Sequence, residues 1–151
     1  MNGAGAPSTL SRRHVRWIVA SGSVLWLSGT AWLILHYFGQ RNGEFGPEPS
    51  AGEPWMMIVH GLAMMTALLA IGGLLVRHVP VGWQVSAQRN KGLVLLSALI
   101  LLMVTGYLLY YVGGEQIRAL ASRVHWVLGL ALPAAFVWHY LGRRRAEDSK
   151  L

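Results

Sequence analysis

Six histidines carry most of the chemistry open to this sequence: His14, His36, His60, His78, His125 and His139. There is no cysteine, which excludes disulfides, thiolate zinc, iron–sulfur ligation and covalent attachment of a c-type haem, so any redox centre must be held by other ligands. Imidazole is the leading candidate. His125 and His139 are 14 residues apart. On a helix that is about 40° short of four full turns and roughly 21 Å along the axis, so the two rings share one face at two depths.

The elements that must position these rings follow from composition. Of 151 residues, 54% are hydrophobic and only 13% charged, and mean hydropathy is +0.42. A soluble domain carries about 25% charge, and a single small core could not bury this much apolar surface. Four stretches, 17–38, 55–76, 92–112 and 124–142, contain no Lys, Arg, Asp or Glu. Each has the length of a helix that crosses the hydrocarbon core. The expected fold is an all-α membrane protein, a four-transmembrane-helix bundle forming one domain over 1–151. Its connections would be a Gly-, Pro- and Glu-rich outer loop at 39–54 and an inner loop at 77–91 around Pro80, Gly82 and Trp83. The basic residues before span 1 resemble a signal peptide, but the apolar run is too long and lacks a small-residue cleavage site, so it reads as a retained anchor.

The net charge of +7 is explained by topology. Ten of the thirteen basic residues flank one side: Arg12, Arg13, Arg16, Arg77, Arg89, Lys91, Arg143, Arg144, Arg145 and Lys150. Arg41, Arg118 and Arg123 fall on the other with Glu44, Glu48, Glu53 and Glu115. The positive-inside rule then puts both termini in the cytoplasm. No aromatic-interleaved basic module accompanies the arginines, so no nucleic-acid partner is expected. Trp17, Trp55, Trp83, Trp126 and Trp138, with Tyr37, Tyr110, Tyr111 and Tyr140, sit near span ends, where an aromatic belt anchors helices in membrane lipid.

Depth then sorts the histidines. An ionisable residue inside a membrane is costly and marks function by default, and a b-type haem takes two axial imidazoles from facing helices at matching depth. The self-consistent pairs are His14 with His139 towards the inner surface and His60 with His125 towards the outer one. His78 overshoots the inner level by about 6 Å and His36 the outer level by about 12 Å. Both read as interfacial, and a headgroup role is the competing reading for the other four. Gly61, beside His60, and Gly129, one turn from His125, would let a flat macrocycle or a neighbouring helix approach closely. Pro133, between the two histidines of span 4, is expected to kink it. Arg118 and Arg123 outside, and Arg12, Arg16, Arg143 and Arg144 inside, are placed to meet propionates. No internal repeat is evident.

On these residues the chain resembles the bacterial four-helix cytochrome b family, which includes cytochrome b561 and the membrane b subunits of nickel–iron hydrogenases and formate dehydrogenases. The likeness rests on Arg12-Arg13-His14, Ser28-Gly29-Thr30, His60-Gly61, Thr105-Gly106, and Ser122-Arg123-Val124-His125-Trp126 through Trp138-His139-Tyr140. It spans nearly the whole chain. The resemblance implies two b-type haems, one between helices 1 and 4 on His14 and His139, the other between helices 2 and 4 on His60 and His125. In one place the chain departs from the pattern: Val15 and Arg16 precede Trp17, where the family has Trp directly after the helix 1 histidine.

The resulting expectation is a multi-pass cytochrome of the bacterial inner membrane that moves electrons between quinone and a periplasmic partner. That partner would be a c-type cytochrome or a dehydrogenase module. A quinone could meet His78, Trp83 and Gln84 inside, or His36, Tyr37 and Trp55 outside. Two other readings stay open: a stand-alone quinol- or superoxide-linked oxidoreductase, and a cofactor-free membrane anchor or assembly subunit.

Overall fold

The computed structural model describes residues 11–84 and 89–148. In chain order they form α1 (Arg12–Phe38), β1 (Arg41–Gly43), β2 (Gly46–Glu48), α2 (Glu53–Gln84), α3 (Arg89–Tyr111) and α4 (Glu115–Asp148). All four helices contain a segment long and apolar enough to cross a membrane: Arg12–Phe38, Glu53–Val76, Arg89–Tyr111 and Glu115–Leu141. The expected all-α membrane architecture is therefore present. The chain divides between Val81 and Gly82 into two compact units. One contains α1, the connection and α2 as far as Val81, the other the end of α2 with α3 and α4.

Helix ends differ from the apolar spans for a physical reason. Hydropathy marks where a helix lies in hydrocarbon, whereas hydrogen bonding carries it on into polar flanks. The inner loop expected at 77–91 is thus largely helical: α2 continues through Pro80 to Gln84, α3 starts at Arg89, and 85–88 lie outside the described residues. Likewise α4 begins at Glu115 rather than near 124. An acidic side chain in that first turn complements the helix dipole.

The connection 39–54, expected to be irregular, contains a two-stranded antiparallel hairpin. Arg41 pairs with Glu48, Asn42 with Pro47 and Gly43 with Gly46, leaving Glu44 and Phe45 as a two-residue turn. Gly46 has φ +121°, a conformation open to glycine at little cost. Beyond it, Ser50-Ala51-Gly52-Glu53 forms a capping box. The Ser50 hydroxyl accepts from the Gly52 N–H at 3.3 Å, and the Glu53 Oε1 accepts from the Ser50 N–H at 3.0 Å. The second Glu53 oxygen accepts from His36 Nδ1 at 3.0 Å, and the His36 ring stacks on Trp32 at 4.7 Å. One buried carboxylate therefore starts α2 and ties it to the end of α1. His36, read as interfacial, is engaged by a carboxylate that its sequence position does not reveal.

Among the described residues the apolar side chains that are buried are all alanines, Ala63, Ala67, Ala70 and Ala121. Ser21, Ser28 and Thr105 are the small polar residues buried on the transmembrane segments. Large apolar side chains such as Leu69 and Val76 point outward and are about four-fifths exposed. Lipid tails solvate Leu as well as another Leu does, so helices in a bilayer associate through small residues that let backbones approach. Two hydroxyls are consumed locally, Ser21 donating to Trp17 O at 2.7 Å and Thr66 to Leu62 O at 2.8 Å. Trp17, Trp55, Trp83, Trp138, Tyr110 and Tyr111 are all at least half exposed, as anchoring rings should be.

Replacing Glu53 by Ala removes both the cap acceptor and the His36 partner. It should cost about 1–3 kcal/mol, read as a lower thermal midpoint in detergent. Glu53→Gln keeps a cap acceptor and should lose less. Equal midpoints for wild type and Glu53→Ala would show that the box contributes nothing.

Candidate haem-ligand site

In the first unit, α1 and α2 meet at two levels, and each level has one histidine lying against one glycine. At the first, the His14 ring from α1 faces Gly73 of α2, where an added Cβ would sit 2.7 Å from Cε1. At the second, the His60 ring from α2 faces Gly29 of α1, with the corresponding distance 2.9 Å. The second unit repeats the arrangement with both histidines on α4. His139 faces Gly92 of α3 at 3.6 Å, and His125 faces Gly106 at 3.3 Å. Antiparallel helices of equal rise must carry their partners at similar separations. Accordingly, 14 residues separate His125 from His139 and Gly92 from Gly106.

The hydrogen bonds at His60 and His125 share one design. Thr105 Oγ1 is 2.7 Å from Leu101 O, one turn back on its own helix, and 2.9 Å from His125 Nδ1. A hydroxyl has one proton and a carbonyl can only accept, so that proton goes to Leu101 and the oxygen lone pair faces the ring. His125 Nδ1 must therefore donate. Ser28 does the same in the other unit: Oγ donates to Leu25 O at 3.0 Å and accepts from His60 Nδ1 at 3.2 Å. His60 Nδ1 also donates to Leu25 O at 3.0 Å. In a neutral imidazole with Nδ1–H, Nε2 is the nitrogen with the lone pair. Both rings are therefore in the tautomer with the proton on Nδ1, which is the anchored nitrogen.

His14 is held differently. Its Nε2 lies 2.9 Å from Ala70 O, and a carbonyl acceptor makes that nitrogen the donor. The bond staples α1 to α2, and coordination through Nε2 would require breaking it. His139 is half-buried on α4 beside Trp138, whose ring takes the Lys91 ammonium at 5.4 Å.

The other expected site residues are placed as follows. Gly61 has open space within 4 Å in its own unit, and Gly129 faces Leu102 Cδ2 at 3.9 Å. Neither lies against a histidine. Arg118 and Arg123 are exposed on the first turns of α4, with Arg123 Nε donating to Ala119 O at 3.3 Å. Arg12 and Arg16 are exposed on α1, Arg143 and Arg144 belong to the last turns of α4, and Lys150 lies outside the described residues. Pro133 sits inside α4. Of the residues weighed for quinone, His36 is engaged by Glu53, Trp55 is exposed, and Trp83 takes the Arg89 guanidinium at 5.6 Å. Among the described residues no group of three or more His, Asp or Glu could hold a bare metal ion.

Sequence reasoning gave none of Ser28, Thr105, Gly29, Gly73, Gly92 and Gly106 a histidine to face, although Ser28-Gly29 and Thr105-Gly106 were among the residues that carry the resemblance. As site residues it selected Gly61 and Gly129, on the histidines' own helices, whereas a ring meets the facing helix. Ser-Gly in span 1 and Thr-Gly in span 3 were the available signal. Compared with family models, curated proteins and solved structures, the chain matches none of them.

The glycine contacts predict an order of tolerance. Gly73→Ala and Gly29→Ala force the imidazole aside and should cost about 1–3 kcal/mol, seen as lower thermal midpoints in detergent. Gly106→Ala should be milder, and Gly92→Ala, with ordinary contact distance, should gain up to about 1 kcal/mol of helix propensity. A Gly92→Ala variant as damaged as Gly73→Ala would contradict the geometry.

Proposed function

We propose that this chain is a b-type cytochrome of a bacterial inner membrane, carrying electrons between quinone and a periplasmic partner. The observation that carries the reading is the chain His Nδ1–H to hydroxyl to carbonyl, built once at His60 and again at His125 in a separate hairpin. Two histidines given the same tautomer and seated on glycine are what bis-imidazole ligation asks of a protein.

His60 and His125 would hold the outer haem through Nε2, which supplies reversible one-electron chemistry at iron when bound. The protein's own part is positional and electrostatic. Ser28 and Thr105 hold the Nδ1 protons and fix both rings. Gly29 and Gly106 remove the Cβ that would push them away. Arg118 and Arg123, exposed at the start of the helix that carries His125, would meet propionates on the outer surface. With both termini in the cytoplasm by charge bias, His14 and His139 would serve an inner haem. Short connections favour a larger partner, a c-type cytochrome or dehydrogenase module, over stand-alone activity.

A single-haem version has its own observation in favour: His14 spends Nε2 on Ala70 O. The decisive measurement is the reduced-minus-oxidised absorption spectrum of the purified protein, with haem counted per chain. The expected result is a b-type α-band, two haems, and loss of one in His125→Ala. One haem per chain, unaffected by His14→Ala, would select the single-haem version. Absence of any α-band would leave the cofactor-free anchor.

A further inference from the structure

We propose that the end of the α3–α4 hairpin carrying Arg89 and Lys91 is a seat for the headgroup of an anionic phospholipid. Two cations are each laid on an indole there. The Lys91 ammonium lies 5.4 Å from the centre of the Trp138 ring, joining α3 to α4. The Arg89 guanidinium lies 5.6 Å from the centre of the Trp83 ring, and its Nε donates to Trp83 O at 3.1 Å. All four residues belong to the second unit. Both indoles are about half exposed, and among the described residues neither cation is in an ion pair.

Depth identifies what these cations meet. Arg89 opens one membrane-crossing segment and Leu141, one turn past Trp138, closes the other. The Lys91–Trp138 pair therefore stands at the hydrocarbon boundary, where lipid phosphates lie. Register gathers more charge at that end. Gly92 lies against His139, so Arg89 and Arg143 are each one turn beyond that contact. Arg144 and Arg145 follow, and only Glu147 and Asp148 oppose them on α4. Every phospholipid has a phosphate, but a zwitterionic head brings its own ammonium, which surplus positive charge repels; an anionic head does not. Holding two flexible side chains on rings before the lipid arrives reduces the ordering entropy that binding costs. The ammonium and the Nη groups remain as donors for phosphate oxygens. Leu93, Val94, Val137 and Leu141, each about half exposed, offer acyl chains an apolar flank that a soluble anion would not use.

The test is thermal unfolding of the full chain in neutral detergent with added phosphatidylglycerol or phosphatidylcholine, and native mass spectrometry to count retained lipid. Phosphatidylglycerol should raise the midpoint by about 2–4 °C more than phosphatidylcholine and should remain bound. Arg89→Gln combined with Lys91→Gln should abolish that preference, Lys91→Gln alone should weaken it, and Arg41→Gln, on β1 of the first unit, should keep it. Inorganic phosphate should give no shift. Equal response of the wild type to both lipids, or full preference in the double variant, overturns the proposal. So does equal stabilisation by inorganic phosphate, which would make this a site for free anions. If the double variant does not fold, the lipid count on Lys91→Gln decides, and unchanged retention overturns the seat. None of these readouts depends on a bound haem.

Discussion

Inside hydrocarbon a polar side chain has no water to bond, and an unmet donor or acceptor costs several kcal/mol. Ser21, Ser28, Thr66 and Thr105 answer that constraint by donating to the carbonyl one turn back, whereas the buried Thr30 hydroxyl has no partner among the described residues. Ser21 and Thr66 do no more than this. At Ser28 and Thr105 the same local habit leaves an oxygen lone pair facing a histidine on the opposite helix, and the histidine has to donate. The tautomer of each ring is thus set by where a hydroxyl proton has already gone.

Packing follows from the same environment. With lipid as solvent, nothing drives large apolar side chains between the helices, and among the described residues the buried helical positions other than Glu53 fall to Ala, Ser and Thr. An imidazole fits between closely spaced backbones only where the facing residue lacks a Cβ. Gly29, Gly73, Gly92 and Gly106 supply that room at two levels of each hairpin. Close packing and histidine placement are one solution rather than two.

Histidine is used in more than one way along the chain. His60 and His125 are fixed through Nδ1, His14 is a staple through Nε2, and His36 completes a buried carboxylate that also caps α2. Residue type and depth alone do not separate these uses. The nitrogen that is engaged, and the kind of atom it meets, does so. A ring anchored through Nδ1 on a hydroxyl and one that spends Nε2 on a carbonyl are held in different tautomers.

The sequence by itself determined four membrane-crossing helices, because uncharged apolar runs of span length have few other uses. It also placed His125 and His139 on one face, since helical geometry is local. It could not show the helices running on past the apolar spans to Gln84 and back to Glu115, nor the hairpin at 41–48, because hydropathy reports solvent and not hydrogen bonding. Nor could it supply Glu53 for His36, Ala70 for His14, or the Ser-Gly and Thr-Gly seats for His60 and His125. Those partners sit on the facing helix, tens of residues away in sequence, and only the register of one antiparallel helix on another decides which carbonyl, hydroxyl or missing Cβ a given ring meets.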